Sequence, residues 1–128
     1  MLIKGDSHSD YRGKVSFVND FDMSRAVRMY SIQPKKNLIR AWQGHKIETK
    51  WFYVVSGSFL VKTVKMEDLS VTEYRLSSNE SQVLKISGGY YNGFEALEEE
   101  SVLIVFSDFS LEESKNDDYR ESLENISW

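Results

Sequence analysis

The chain has 128 residues, the size of one ordinary domain, and its 41% apolar and 13% aromatic content is enough to bury a core, which excludes wholesale disorder. Residues 1–110 carry 14 basic and 14 acidic side chains and residues 111–128 two and six, so the net charge of −4 belongs to the tail. A balanced body without a basic block excludes nucleic acid and an anionic membrane surface as main partners. The sequence has no run approaching the roughly 18–20 apolar residues of a membrane span, and Met1 to Asp10 is too polar for a signal peptide; a soluble cytoplasmic protein is expected.

Met1–Asp10 is read as a mobile stretch. Short segments rich in β-branched and aromatic residues follow. They predict strands over Lys14–Phe21, Ala26–Ile32, Asn37–Gln43, Lys50–Ser56, Ser58–Val64, Thr72–Leu76, Ser81–Ile86, Tyr91–Ala96 and Ser101–Phe106. Ser56-Gly57-Ser58 reads as a tight hairpin whose glycine takes a positive φ, Gly88-Gly89 ends a strand, and Glu98-Glu99-Glu100 is a charged turn. Many short strands without a long helix-period stretch predict an all-β fold, a small barrel or jelly roll. The domain is one unit over 1–128, a barrel over 10–110 followed by an acidic tail over 111–128. Ser110 and Glu113 have the spacing of a capping box, so short helical turns are expected after it. The tail itself reads as peripheral.

The densest polar constellation is Arg40-Ala41-Trp42-Gln43-Gly44-His45-Lys46, followed by Glu48 and Lys50-Trp51-Phe52-Tyr53. Gln43 and His45 are two apart and share one face of an extended strand. Lys50 shares a face with Phe52 and Val54, which predicts an inward lysine, rare unless paired or functional. Because Arg40 and Gln43 have opposite parity, a bulge must lie between them if both face the lumen. Trp42, Trp51, Tyr90 and Tyr91 are candidates to stack on a ring. Two consecutive tyrosines at 90–91 put one side chain on each face, so one of them is expected in the lumen. The absence of Cys excludes disulfides and thiolate chemistry, and the only histidines are His8 and His45.

These residues resemble a known family. Arg40 to Lys46 is similar to the Arg-Gly-x-His-x-His-Lys segment of the cupin-type sugar 3,4-ketoisomerases and to the same stretch of the rhamnose-pathway 3,5-epimerases, both acting on nucleotide-linked 4-keto sugars. Asp10-Tyr11-Arg12-Gly13 resembles their opening Asp-x-Arg-Gly, and Ile86 to Phe94 resembles the epimerases' Ile-Pro-x-Gly-x-x-His-Gly-Phe. With Ser107-Asp108-Phe109 the likeness runs from about residue 10 to residue 110. It implies a double-stranded β-helix, the cupin jelly-roll barrel, with a short helical C-terminal tail. It also implies a nucleotide-sugar ligand, a homodimer, and service in surface-polysaccharide sugar synthesis.

Position by position, the resemblance makes Arg40 a phosphate contact, Lys50 a lysine near the sugar and His45 the second histidine of the ketoisomerase pair. Gln43 stands where both families place their first histidine, the epimerases' general base. Ile104 falls about where the epimerases have their tyrosine acid, so 3,5-epimerisation by the usual route is not expected. Metal-binding cupins would place ligands at Gln43, His45, Glu48 and Asn92. One imidazole, two amides and a carboxylate make a poor set for a transition metal, so neither a metal nor another cofactor is expected.

The chemistry implied is metal-independent removal of a proton α to a carbonyl, which needs a base of near-neutral pKa and donors or a cation for the enolate. His45 is the candidate base, Lys50 the cation, and Gln43 an orienting amide. Arg40, Tyr53, Tyr91, Asn92 and Trp42 are candidate substrate contacts, with Tyr30, Tyr53 and Tyr91 as candidate acids. The alternative is a non-catalytic cupin that binds carbohydrate or nucleotide sugar, in which amides have replaced histidines. A third reading is an assembly domain that pairs through its strand edges.

Overall fold

The computed structural model describes residues Met1–Trp128. Its strands are β1 (Leu2–Lys4), β2 (Asp6–Asp10), β3 (Gly13–Phe17), β4 (Arg28–Ile32), β5 (Arg40–His45), β6 (Lys50–Ser56), β7 (Ser58–Lys65), β8 (Val71–Ser77), β9 (Gln82–Ile86), β10 (Tyr90–Ala96), β11 (Val102–Ser107) and β12 (Tyr119–Arg120), with one helix, α1 (Leu111–Lys115). Two five-stranded sheets, ordered β1-β9-β6-β11-β4 and β12-β5-β10-β7-β8, face each other. Every ladder in them is antiparallel. The order is that of the expected jelly roll, in which strands distant in sequence become neighbours.

Period-two alternation builds the interior in layers. Across β9, β6 and β11, Leu84 opposes Phe52 and Phe52 opposes Val105; one step along, Val54 opposes Leu103. Phe59, Val61, Leu76, Phe94 and Ala96 of the second sheet close the same cluster. Phe94 meets Phe52 and Phe59 in edge contacts at 6.1 Å, the geometry ring quadrupoles prefer. The β6–β7 hairpin turns at Gly57, whose φ of 73° a side chain would resist. Gly89 follows β9 with a φ of 96°, as the expected strand end requires.

Two segments depart from expectation. Met1–Asp10 is structured: β1 adds to the sheet edge with Leu2 opposite Leu84, and β2 pairs with β3 in a hairpin closed by Asp10, which accepts the Arg12 backbone N–H and pairs with its guanidinium at 2.8 Å. β2 is polar and exposed throughout, so it has no hydrophobic alternation to read. The strand expected over 14–21 ends at Phe17, and the chain beyond it sets Phe21 against Trp51 and Phe106 on the outer face of the first sheet, 5.7 Å from each.

The tail is the second departure. The capping box is present, with Ser110 Oγ accepting the Glu113 N–H and Glu113 accepting the Ser110 N–H. The helix stops at Lys115, however, and the remaining chain docks on the barrel. Tyr119 and Arg120 pair with Gly44 and Gln43, covering the β5 edge. Trp42 Nε1 donates to the Ile126 carbonyl at 2.7 Å, and the Trp128 ring lies 5.3 Å from that of Trp42. Far from peripheral, the tail forms the edge of the second sheet.

Candidate active site

At one end of the barrel the apolar layers give way to polar ones. Along β6 the inward positions run Val54, Phe52, Lys50; along β11 they run Leu103, Val105, Ser107; along β10 they run Ala96, Phe94, Asn92. At this end a cavity of about 460 Å3 opens. Tyr30 and Ile32 from β4, Trp42 and Gln43 from β5, Lys50, Asn92 and Val105 line it, with Arg40 and Arg120 among its charged residues. Its three charged lining residues are all cations, Arg40, Lys50 and Arg120, in a chain whose net charge is negative.

Arg40 and Gln43 both reach the cavity because the β5–β10 ladder slips: Asn92 opposes Gln43 and Phe94 opposes Arg40, leaving Gly93 on one strand against Ala41 and Trp42 on the other. That is the bulge their parity required. Asn92 Nδ2 donates back to the Gln43 carbonyl at 3.1 Å, bracing the irregular step.

Lys50 is buried, and its Nζ donates to Gln43 Oε1 at 3.4 Å with the Tyr30 ring 5.8 Å away. Burial pushes its pKa down from 10.5 to about 8. The Gln43 amide passes the contact on, donating from Nε2 to Asp118 Oδ1 at 3.2 Å, and Arg120 Nε donates to the same oxygen at 2.9 Å. An amide, unlike a histidine, accepts from the lysine and donates to the carboxylate at once, which gives a physical reason for glutamine at this position.

His45 lies one step beyond Gln43 on the same strand face, buried beside the cavity rather than in its wall. Its Nδ1 is 2.6 Å from the Asp117 carbonyl oxygen. A carbonyl only accepts, so Nδ1 carries the hydrogen and the neutral ring presents its lone pair at Nε2. Nε2 is buried and has no hydrogen-bond partner. Burial, then the charge of Lys50, holds the imidazole pKa below its ordinary value, against the opposing pull of the Asp117 carbonyl and the Glu48 and Asp117 charges. The ring is neutral at neutral pH.

The groups that fix His45 come from both ends of the chain. Glu48, fully buried, accepts from Ser107 Oγ at 2.7 Å and Ser114 Oγ at 2.6 Å, with the Arg28 guanidinium at 3.4 Å and His45 Nδ1 at 3.5 Å. Asp117 accepts the backbone N–H groups of Lys46, Ile47 and Glu48 at 2.8, 2.9 and 2.8 Å. Burial raises its pKa, but those three bonds outweigh it and hold the carboxyl below the usual range. Asp117 therefore locks the β5–β6 turn with its side chain and orients His45 with its carbonyl.

Of the residues singled out in the sequence, Gln43, Lys50, Arg40, Asn92 and Trp42 meet at the cavity. Tyr53 and Tyr91 do not. Tyr53 alternates with inward Phe52 and Val54 and faces outward, and Tyr91 covers Gly44 on the outer face while Tyr90 packs against the core. Tyr90, the inward one of the pair, lines a separate cavity of about 270 Å3. Trp51 faces outward under Arg25 and Phe21. Among the three candidate acids only Tyr30 lines the site, and burial raises its pKa so that it keeps its proton. Ile104 also faces outward; the residue of β11 that lines the cavity is Val105, and the hydroxyl of Ser107 at the end of that strand is engaged by Glu48 at 2.7 Å. No group of three or more His, Cys, Asp or Glu side chains stands together as an ion site. Asp117, Asp118 and Arg120 were missed, and the only sign of them is a short Asp-Asp-Tyr-Arg run inside an acidic tail.

No family model and no curated protein matches the sequence. Solved structures do. The 3'-monoepimerase ChmJ from Streptomyces bikiniensis, in complex with dTDP-quinovose, superposes with a TM-score of 0.82 at 13% identity over 99% of this chain and 73% of its own. The dTDP-4-dehydrorhamnose 3,5-epimerase from Sulfolobus tokodaii gives 0.82 at 23% identity over 99% of this chain and 79% of its own. QdtA, a sugar 3,4-ketoisomerase from Thermoanaerobacterium thermosaccharolyticum in complex with TDP, gives 0.76 at 23% over 98% and 90%, and a variant of it holds TDP-4-keto-6-deoxyglucose. The chain thus has the RmlC-like cupin fold that the dTDP-sugar epimerases and 3,4-ketoisomerases share.

Proposed function

We propose that the protein is a nucleotide-sugar isomerase that moves a proton α to the carbonyl of a 4-keto-6-deoxyhexose linked to a nucleoside diphosphate. The observation that carries this reading is His45: a neutral imidazole whose Nδ1–H is fixed on a backbone carbonyl and whose Nε2 lone pair has no partner, one step along β5 from the cavity residue Gln43. In the proposed cycle His45 Nε2 takes the proton from the carbon next to the carbonyl. The Lys50 ammonium, desolvated and therefore strongly felt by an oxyanion, stabilises the enolate. Tyr30, protonated at the cavity wall, is the candidate donor to that oxygen, and it is restored by the proton that the C3 hydroxyl gives up as C3 becomes the new carbonyl. One base acting on one face suffices to lift the proton from C3 and return it at C4, so 3,4-ketoisomerisation fits better than a two-centre epimerisation, which needs an acid opposite at each centre. Arg40, exposed at the mouth, is placed for the diphosphate.

The family likeness adds a cytoplasmic homodimer serving surface-polysaccharide sugar supply. On this chain the exposed β2–β3 hairpin, marginal as an isolated pair of strands, supports the dimer, and light scattering tests it. The test of the activity is to incubate the protein with TDP-4-keto-6-deoxyglucose in heavy water. Deuterium at the carbon next to the carbonyl and formation of the 3-keto isomer are expected; no exchange with this or any other keto-sugar nucleotide overturns the enzyme reading. A second reading is a binding-only cupin, favoured by one observation: His45 stands beside the cavity and not in its wall. Tight dTDP-sugar binding without exchange would establish it.

A further inference from the structure

We propose that Arg120, supplied by the C-terminal segment, is an anion-binding residue of the cavity that grips the phosphates together with Arg40, so that ligand binding and docking of residues 117–120 are linked. For the nucleoside diphosphate as ligand this rests on the function proposed above; for the anion it rests on the site itself. The cavity is lined by Arg40, Lys50 and Arg120 and by no carboxylate. Lys50 lies deep, whereas both arginines stand at the open side. Arg40 is exposed. Arg120 is 67% exposed, and its one ion pair is to Asp118, two residues earlier on the same segment.

That pair uses Nε and one terminal nitrogen of the guanidinium. Of the five donors of the fork, those on the other terminal nitrogen are left for a ligand. Arg120 sits opposite Gln43 in the ladder, three residues from Arg40, which puts the two backbones about 10 Å apart at strand spacing. Two long side chains close that gap to the span of a diphosphate. Asp118 directs the fork and ties it through Gln43 to Lys50, so Arg120 and Lys50 belong to one hydrogen-bonded chain, with Arg40 beside it in the same cavity.

The segment is held by the two-residue ladder to β5, reciprocal backbone bonds between Trp42 and Glu121, the Asp117 grip on the β5–β6 turn and on His45, the Gln43–Asp118 contact, the Trp42–Ile126 bond and the packing of Trp128 on Trp42. A ligand held by Arg120 adds to them only in the docked state. Linkage then requires that the ligand stabilise docking by the same factor by which docking strengthens the ligand.

The test measures calorimetric affinity for inorganic pyrophosphate and for dTDP, with amide hydrogen exchange of residues 117–128 in the presence and absence of each, in the wild type, Arg120→Gln, Arg120→Lys and the distant control Arg12→Gln. Arg120→Gln should weaken both ligands by about tenfold or more, as loss of a charge-assisted pair does. Arg120→Lys should fall between, and Arg12→Gln should match the wild type. Either ligand should slow exchange over 117–128 in the wild type, and this protection should vanish in Arg120→Gln. Wild-type affinity in Arg120→Gln, ligand-independent exchange of the segment, or a wild type that binds neither anion overturns the proposal. Pyrophosphate bound as tightly as dTDP would instead count against the nucleotide-sugar reading while leaving the role of Arg120 to the variants.

Discussion

The two ends of the barrel are built by the same strands and do opposite things. At one end Val54, Leu103, Phe59 and Ala96 fill the lumen with apolar atoms; at the other Lys50, Ser107, Asn92 and Gln43 occupy the equivalent inward positions. The polar end is completed by the tail, which contributes Ser114 to Glu48, Asp117 to His45 and the β5–β6 turn, and Arg120 to the cavity. A lumen filled with apolar groups stabilises; a lumen left partly open and lined by a desolvated lysine costs stability and gives chemistry in return.

The contrast can be broken most forcefully at the apolar end. Phe59→Ala, fully buried between Leu76 and Ala96, should lower the unfolding free energy by about 3–5 kcal/mol in urea titration. At the polar end the sign should reverse. Lys50 has a folded pKa of about 8 against 10.5, so between those values the unfolded chain holds more protons than the native one and stability rises with pH; below about 8 the full cost remains. Lys50→Met should remove that cost, raising stability at pH 7 by up to about 3 kcal/mol and flattening the alkaline rise. A lower stability for Lys50→Met would show that the amine is held by contacts better than those seen.

Smaller effects sharpen the same division. Arg40→Ala should weaken nucleoside diphosphate binding by about 1.5–3 kcal/mol in calorimetry while leaving the urea midpoint unchanged; equal affinity would make Arg40 structural. The smallest effect concerns pH. His45 has a folded pKa below 6.5, so as pH falls through 6.5 the unfolded chain takes up a proton that the native chain does not, and stability declines. His45→Gln should remove this part of the acid decline, read from urea midpoints between pH 5 and 7.

Much of the barrel was legible because burying one strand face imposes a period of two: β6 begins at Lys50 and ends at Ser56 as read, and the hairpin at Gly57 and the inward turn of Lys50 follow from the same alternation. The polar end was legible in part. Arg40, Gln43 and Asn92 were readable from spacing and resemblance, and the bulge on β5 from parity alone. Tyr53 and Tyr91 went astray because a phenol able to act as acid or contact is named by residue type without its face, while the alternation with Phe52 and Asn92 points both outward. The tail was illegible for a different reason. Asp117 acts through hydrogen bonds to N–H groups some 70 residues earlier, and no local pattern in the sequence encodes such a contact. β2, all polar, carries no apolar alternation and left no trace, whereas its partner β3 falls within the strand read over Lys14–Phe21.

The account turns on His45 as the base. The measurement is deuterium exchange into TDP-4-keto-6-deoxyglucose by His45→Gln beside the wild type, with dTDP affinity determined on the same preparations. The account predicts exchange reduced by about 100-fold or more at unchanged affinity. Exchange at the wild-type rate in His45→Gln would contradict it and assign the base to another residue.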